Sequence, residues 1–453
     1  MRIHFIAIGG SAMHSLAIEI SKKGHKVTGS DDQIYEPAKS NLKKACLFPR
    51  KLGWFSSKIS TKIDLIILGM HAKKDNIELK KAQLIGIEIK SYPEFISSIS
   101  SNKTRVVISG SHGKSSISAM VLHVMKYNNI DIDYVIGSPI KGNKETISLS
   151  DKNDFILIEG DEYLSSSLDL KSKFLWYKPH IAIINGISWD HVNVFPTFKL
   201  YIDQFKKFIL SVREGGVLIY NSFDKILVDL VNNTNHVIKK IAYKGLDYEI
   251  NEGSTYLEGL EGKIKLNIFG KHNIINLEGA RLASQYMGVN EIDFFEAIQS
   301  FNGVSGRLEL IASGKTSLLY KDFAHAPSKV RATKDAVLEQ FKDYRIVACL
   351  ELHTYSSLDI NFLKNYSDTL EGVDKIIIFY SSKVLKAKNR ETISSFQIKE
   401  SFNNQNIELI TNLSKLNKNL FSDDFSKTLV LMMSSGNFGG FNFKKFISYI
   451  ENF

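Results

Sequence analysis

The chain has 453 residues, 43% of them hydrophobic and 23% charged, with a formal net charge of +10. That length predicts roughly two to four domains of ordinary globular enzyme composition. The absence of any run of about 18 apolar residues excludes a membrane-spanning helix. The two cysteines, Cys46 and Cys349, exclude a disulfide framework and a cysteine zinc site and fit a reducing, cytoplasmic compartment.

The opening "MRIHFIAIGGSAM" reads as a first strand and its turn, not as a signal peptide. "AMHSLAIEISKKG" then predicts a helix closed by Gly24, and "KVTGSD" a second strand ending in acid. "DLIILGM" and "IEIKSYPEF" continue the alternation, which argues for a parallel sheet with helices on both faces. The polar "SSISSNKT" is taken as a link, and the first domain boundary falls at 98/99. Val106, Val107 and Ile108 read as a buried strand, Gly110 and Gly113 bracket a tight turn, and "ISAMVLHVM" reads as a helix. Strand signals recur in "DFILIEGDE", "PHIAIINGISWDH" and "GGVLIYN", and "STYLEGLEGKIKLNIFGKHN" reads as antiparallel β leading into a helix. "NGVSGRLELIASGKT" looks loop-like, and the second boundary is set at 309/310. "SLLYKDFAHAP", "YRIVACLELH", "KIIIFYS" and "TLVLMMSSGNFGG" resume the alternation. The expected fold is α/β in three domains.

The turns carry the candidate chemistry. Gly9 and Gly10 precede a helix whose N-terminal N–H groups suit an anion, and Asp31 ends the next strand, where an acid meets a ribose hydroxyl. The G-x-G-x-x-G spacing is missing, which disfavours a nicotinamide oxidoreductase. "SGSHGKSS" places Lys114 and Ser115 at a helix start, which suits a phosphate loop or an ordinary strand-to-helix turn, and Ile108 stands where the usual first glycine would be. Glu159, Asp161 and Glu162 follow a strand; carboxylates at strand ends suit a hard cation, with a solvated turn as the alternative. Asp190 and His191 close a further strand. His272, Asn273 and Asn276 open a helix; two carboxamides three apart share a face and can read a purine edge, or can form an N-cap cluster. Arg307 lies in a loop where a guanidinium can grip a phosphate, and Asp322 and His325 precede Pro327 at a strand end. The basic balance suits anionic small molecules; no lysine/arginine run is interleaved with aromatics, so nucleic-acid binding is disfavoured.

In their order along the chain these strings resemble the Mur ligase family of ATP-dependent amide-forming enzymes. "SGSHGKSS" is similar to the family's shortened T-G-T-H-G-K-T-T loop, for which the missing early glycine is normal. The resemblance implies a Rossmann-like N-terminal domain (1–98) for the UDP sugar. It also implies a P-loop ATPase-like central domain (99–309) and a Rossmann-like C-terminal domain (310–453) for the amine. It implies that Gly110, Ser111, His112, Gly113, Lys114, Ser115 and Ser116 cradle ATP phosphates. Ser115 and Glu159 would hold one Mg2+ and His191 a second. Asn273 and Asn276 would meet adenine, Arg307 the γ-phosphate and Asp322 the ribose. Gly9, Gly10, Ser11, Asp31, His325 and His353 would face the substrates. "EGDEYLSSSLDLKSKFLWYKP" and "SSGNFGGF" resemble the branch that joins UDP-N-acetylmuramate to recycled L-Ala-γ-D-Glu-meso-diaminopimelate, rather than the branch that adds L-alanine. "LELHTYSSL" keeps His353 but has Ser357 near the place of the arginine usual in both branches. Lysine carbamylation at Lys206 or Lys207 is weighed against two ordinary surface lysines, and the latter is preferred. A monomer or weak dimer in the cytoplasm is expected. A nucleotide-dependent binding or regulatory protein without ligase activity is the rival from another class, and the combination of Glu159, His191 and Arg307 speaks against it.

Overall fold

The computed structural model describes residues 1–140, 145–259, 262–388 and 391–453. They fall into two compact units. The first comprises Met1–Ile187, Lys199–Lys244 and Gly279–Phe294; the second comprises Ser188–Phe198, Gly245–Glu278 and Phe295–Phe453.

The first unit holds two sheets. Strands β1 (Arg2–Ile6), β2 (Lys26–Ser30), β3 (Leu65–Leu68) and β4 (Glu88–Ser91) pair in the order β2-β1-β3-β4, all parallel. The second sheet contains β5 (Thr104–Ser109), β6 (Asp133–Val135), β7 (Ile147–Ser148), β8 (Phe155–Glu159), β9 (Ile181–Ile184), β10 (Val217–Asn221) and β11 (Lys239–Tyr243). Its order is β11-β10-β9-β5-β8-β6-β7, with only the β6–β7 pair antiparallel. Strand β5 is central, and Val106, Val107 and Ile108 are 0% exposed. A strand covered on both faces has no polar side to alternate with, which is why its sequence reads as a continuous apolar run. The chain reverses its direction of travel across the sheet at β5, and such switch points leave a crevice at the strands' carboxyl ends.

In the second unit, β12 (Tyr248–Asn251), β13 (Ser254–Gly259) and β14 (Gly262–Leu266) form an antiparallel sheet, as expected from the sequence, followed by the helix Lys271–Tyr286. Strands β15 (Glu309–Ser313), β16 (Leu318–Asp322), β17 (Arg345–Glu351), β18 (Lys375–Phe379), β19 (Ile407–Ile410) and β20 (Thr428–Met433) pair in the order β15-β16-β20-β17-β18-β19. All but the β15–β16 pair are parallel.

Two local expectations need correction. The "SSISSNKT" link is mostly ordered: Ser97 to Ile99 complete the helix Tyr92–Ile99, and Thr104 already opens β5. The "ELIAS" part of "NGVSGRLELIASGKT" is strand, not loop. Its register shifts between Leu310 and Ala312, and that irregularity destroys the period-two alternation by which an edge strand is recognised. Among the described residues no helix is long and apolar enough to cross a membrane.

Candidate active site

The turn after β1 runs into the helix Ser11–Lys22, which has no side-chain cap at Gly10, so its first N–H groups point out without a side-chain acceptor. The Gly9 N–H donates to Asp31 Oδ2 at 2.7 Å, tying this turn to the end of β2. Burial pushes the Asp31 carboxyl above its usual range, although the Gly9 and Gln33 N–H groups pull the other way. Gly9, Gly10, Ser11 and Asp31 therefore occupy one neighbourhood at the switch point of the first sheet.

The turn after β5 is held from two sides. Gly110 adopts φ +125° and Gly113 φ +78°, backbone regions open to glycine at little cost. A Cβ on Gly110 would also stand 3.0 Å from the Asn185 backbone nitrogen. The Ser111 N–H donates to the Gly186 carbonyl at 2.9 Å, and the Asn185 side chain donates to the His112 carbonyl at 3.2 Å. The helix Lys114–Tyr127 begins at once, again with no side-chain cap, so the turn and the helix N-terminus together present backbone donors to an anion.

Lys114 bends back over this turn. Its ammonium donates to the Gly110 carbonyl at 2.6 Å and to Glu162 Oε2 at 2.9 Å. Burial alone would lower its pKa, but the charges of Glu162, Asp161 and Glu159 outweigh that and raise it, so Lys114 is a fixed cation. The Ser115 hydroxyl donates to Glu159 Oε2 at 3.1 Å. These oxygens, a hydroxyl and a carboxylate at the end of β8, are the hard donors that Mg2+ prefers. Asp161 pairs with Lys173 at 2.7 Å.

Four contributors, Tyr201, Asn185, Tyr243 and Asn221, were not identified from sequence. The Tyr201 hydroxyl donates to Glu162 Oε1 at 2.9 Å and lies 2.7 Å from Ser111 Oγ, linking the loop to the acid that holds Lys114. Asn185 accepts from Tyr243 at 2.5 Å and receives Asn221 at its carbonyl at 3.0 Å. A polar residue directly after the apolar strand "IAII" was the available signal for Asn185. Lys206 and Lys207 are exposed on the helix Phe198–Ser211.

The remaining candidates belong to the second unit. His191 has φ +55°, in the left-handed region, and its N–H donates to Asp190 Oδ1 at 2.7 Å. Burial alone would raise the Asp190 carboxyl, but Lys329, 3.8 Å away, with His191 and His325 holds it below its ordinary value. His325 Nδ1 donates to the Phe323 carbonyl at 2.8 Å, and burial, with Lys329 beside it, pushes its pKa down to about 4. Arg307 stacks 4.7 Å from the centre of the Phe323 ring, and the His325 ring meets that same ring edge-on at 5.2 Å. Asp322 is engaged through both oxygens, by the Ala324 N–H at 3.0 Å and Thr333 Oγ1 at 2.7 Å. Asn273 Nδ2 donates to the Phe269 carbonyl at 2.9 Å, and Asn276 is 2% exposed on the same helix. His272 is lowered by burial. His353 follows β17, with Nδ1 3.7 Å from Glu351 Oε1, and the Ser357 hydroxyl is turned into its own loop, accepting from the Thr354 N–H at 2.9 Å.

Residues 2–104 match the model of the Mur ligase family catalytic domain, and residues 108–283 that of the Mur ligase middle domain. A UDP-N-acetylmuramate–L-alanine ligase of Clostridium acetobutylicum is 28% identical over 90% of this chain and 88% of its own length. A UDP-N-acetylmuramate–L-alanyl-γ-D-glutamyl-meso-2,6-diaminoheptandioate ligase of Escherichia coli is 29% identical over 78% of this chain and 79% of its own. The crystal structure of a murein peptide ligase from Psychrobacter arcticus superposes with a TM-score of 0.69 at 21% identity, covering 100% of this chain and 99% of that one. That of a UDP-N-acetylmuramate–alanine ligase from Thermotoga maritima gives 0.72 at 19% identity, with 96% of each chain covered. A phosphate turn of the family's form, two matching domain models and full-length likeness to these ligases lead to one conclusion: the chain belongs to the Mur ligase family, and it is an ATP-dependent amide ligase of three-domain α/β architecture.

Proposed function

We propose that this ligase joins UDP-N-acetylmuramate to the peptide L-Ala-γ-D-Glu-meso-diaminopimelate, in reuse of cell-wall peptide. The observation that carries the choice of amine is Ser357. Its side chain is a turn-forming hydroxyl folded onto Thr354, so the position offers no guanidinium to clamp the single carboxylate of a free amino acid. The E. coli relative that acts on this peptide supports the same reading. The alternative, L-alanine addition, is favoured by the C. acetobutylicum relative, whose match spans more of this chain.

In this reading the three ranges 1–98, 99–309 and 310–453 serve the UDP sugar, ATP and the amine. Gly9, Gly10 and Ser11 offer backbone donors to the diphosphate, with Asp31 on the uridine side. A carboxylate is a poor acyl donor; its oxygen first attacks the γ-phosphorus of ATP and gives an acyl phosphate and ADP. Lys114 and Arg307 offset the repulsion between the two anions and steady the transferring phosphoryl. Ser115 and Glu159 would hold one Mg2+ and His191 a second, which would supply further charge neutralisation when bound. Asn273, Asn276 and Asp322 hold the nucleoside. The amine, oriented by the His325 and His353 loops, then attacks the carbonyl, and phosphate leaves.

Two measurements follow. Glu159→Ala is expected to raise the Mg2+ concentration giving half-maximal rate by about tenfold or more; an unchanged Mg2+ titration would remove Glu159 from the metal site. With ATP and UDP-N-acetylmuramate saturating, kcat/KM for the tripeptide is expected to exceed that for L-alanine by at least about tenfold, because losing one charge-assisted pair costs about 1.5–3 kcal/mol. A preference for L-alanine would transfer the chain to the other branch.

A further inference from the structure

The loop that takes the place of the missing arginine is not without a cation. Tyr355, two residues before Ser357, is 46% exposed, and the Lys388 ammonium stands 4.2 Å from the centre of its ring. Lys388 follows the short helix Ser382–Ala387, which itself follows β18. Strand β18 is the direct neighbour of β17, whose carboxyl end carries His353 and Tyr355. The third wall of this crevice comes from the glycine-containing segment after β20, on the other side of β17. That segment packs closely: a Cβ on Gly436 would lie 2.7 Å from His353 Nδ1 and 2.9 Å from Glu351 Oε2. The crevice is thus built at the switch point of the six-stranded sheet, where doubly wound folds receive ligands.

Several cations of this unit are held by carboxylates or a carbonyl. Lys329 faces Asp190, Lys375 and Arg345 share Asp423, and Arg331 donates to the Ser367 carbonyl at 2.8 Å. Lys388 makes no ion pair among the described residues; its partner is the ring face. Burial lowers its pKa, a sign that part of its hydration has been lost without a carboxylate in exchange. A ring face holds an ammonium less strongly than a carboxylate does. An anion that enters therefore finds a partly desolvated cation whose present contact is easily exchanged.

We propose that Lys388, presented by Tyr355, binds a carboxylate of the incoming peptide from the β18 side, a different contact from the clamp on a free amino acid's carboxylate that an arginine at position 357 would form from the β17 loop. This rests on the ligase reading above. It makes the specificity device a flexible ammonium and not a rigid guanidinium fork, so the geometry of the bound carboxylate is less restricted, as suits a peptide carboxylate set back from the reacting nitrogen.

The test uses the full chain with ATP, Mg2+ and UDP-N-acetylmuramate. Lys388→Gln is expected to raise KM for the preferred amine about tenfold to a hundredfold, with KM for ATP and for the UDP sugar unchanged and Lys388→Arg close to wild type. The decisive comparison is between the amine and its carboxyl-amidated forms. Amidating the recognised carboxylate should cost the wild type that same factor and cost Lys388→Gln almost nothing. An amine KM unchanged in Lys388→Gln, or an amidation penalty that persists in it, overturns the proposal while leaving the ligase reading intact. Failure of the wild type to form an amide with either the tripeptide or L-alanine overturns both.

Discussion

Lys114→Ala is expected to abolish amide formation, a loss of about 10³-fold or more, because it removes a side-chain cation fixed against the turn after β5. The same substitution has a separate structural effect. Glu162 is 1% exposed and accepts from Lys114 at 2.9 Å, and taking one partner from a buried pair costs about 3–5 kcal/mol; the figure here falls below that range because the Lys114 side chain is itself 17% exposed. The variant should therefore melt earlier as well as fail in catalysis. The two effects separate in Lys114→Ala/Glu162→Gln. A neutral carboxamide still accepts from Tyr201 but needs no cation, so the melting temperature should recover while turnover stays lost. Recovered turnover in that double variant would show that Lys114 serves only the fold.

Arg307→Ala is the second large effect, about 10³-fold in kcat, the scale on which arginines that meet a transferring phosphoryl act. Arg307 is presented by its stacking on Phe323, and the flat guanidinium is what both the ring and a pair of phosphate oxygens recognise. Arg307→Lys should therefore recover little of the loss, and the melting temperature should barely move in either variant. Single-turnover measurement of ADP formation reads this step. A lysine variant within about threefold of wild type would reduce Arg307 to a general positive charge.

The strands that build the sites were legible because burial on both faces writes itself into the sequence: "RVVIS", "FILIE", "IAII" and "TLVLMM" are all apolar runs, and each ends at a polar turn. The turn after β5 was legible as a turn from its glycines, but its residues alone left a phosphate role and an ordinary strand-to-helix turn both open, and the likeness to the family's loop decided between them. Short and edge elements were not legible. Strand β6 is three residues long, β19 carries Glu408 within "IELI", and β15 is broken by its register shift. The Glu162–Tyr201–Ser111 link was invisible because its members lie 39 and 90 residues apart and meet only when the helix Phe198–Ser211 packs. Lys388 was hidden for a related reason: nothing local distinguishes it from the other lysines of "SSKVLKAKNR", and only the pairing of β17 with β18 brings it to Tyr355.

The chemistry assigned to the loop after β5 can be followed atom by atom. If a carboxylate oxygen of UDP-N-acetylmuramate attacks the γ-phosphorus, that oxygen must leave with phosphate when the amine attacks the carbonyl. With the sugar's carboxylate labelled in ¹⁸O, and ATP, Mg2+ and the tripeptide in unlabelled water, mass spectrometry of the products is predicted to find one ¹⁸O in each inorganic phosphate released and one retained in the amide carbonyl. Phosphate free of the label, with both ¹⁸O atoms left on the sugar, would mean that water and not the carboxylate is the acceptor, and would contradict the account.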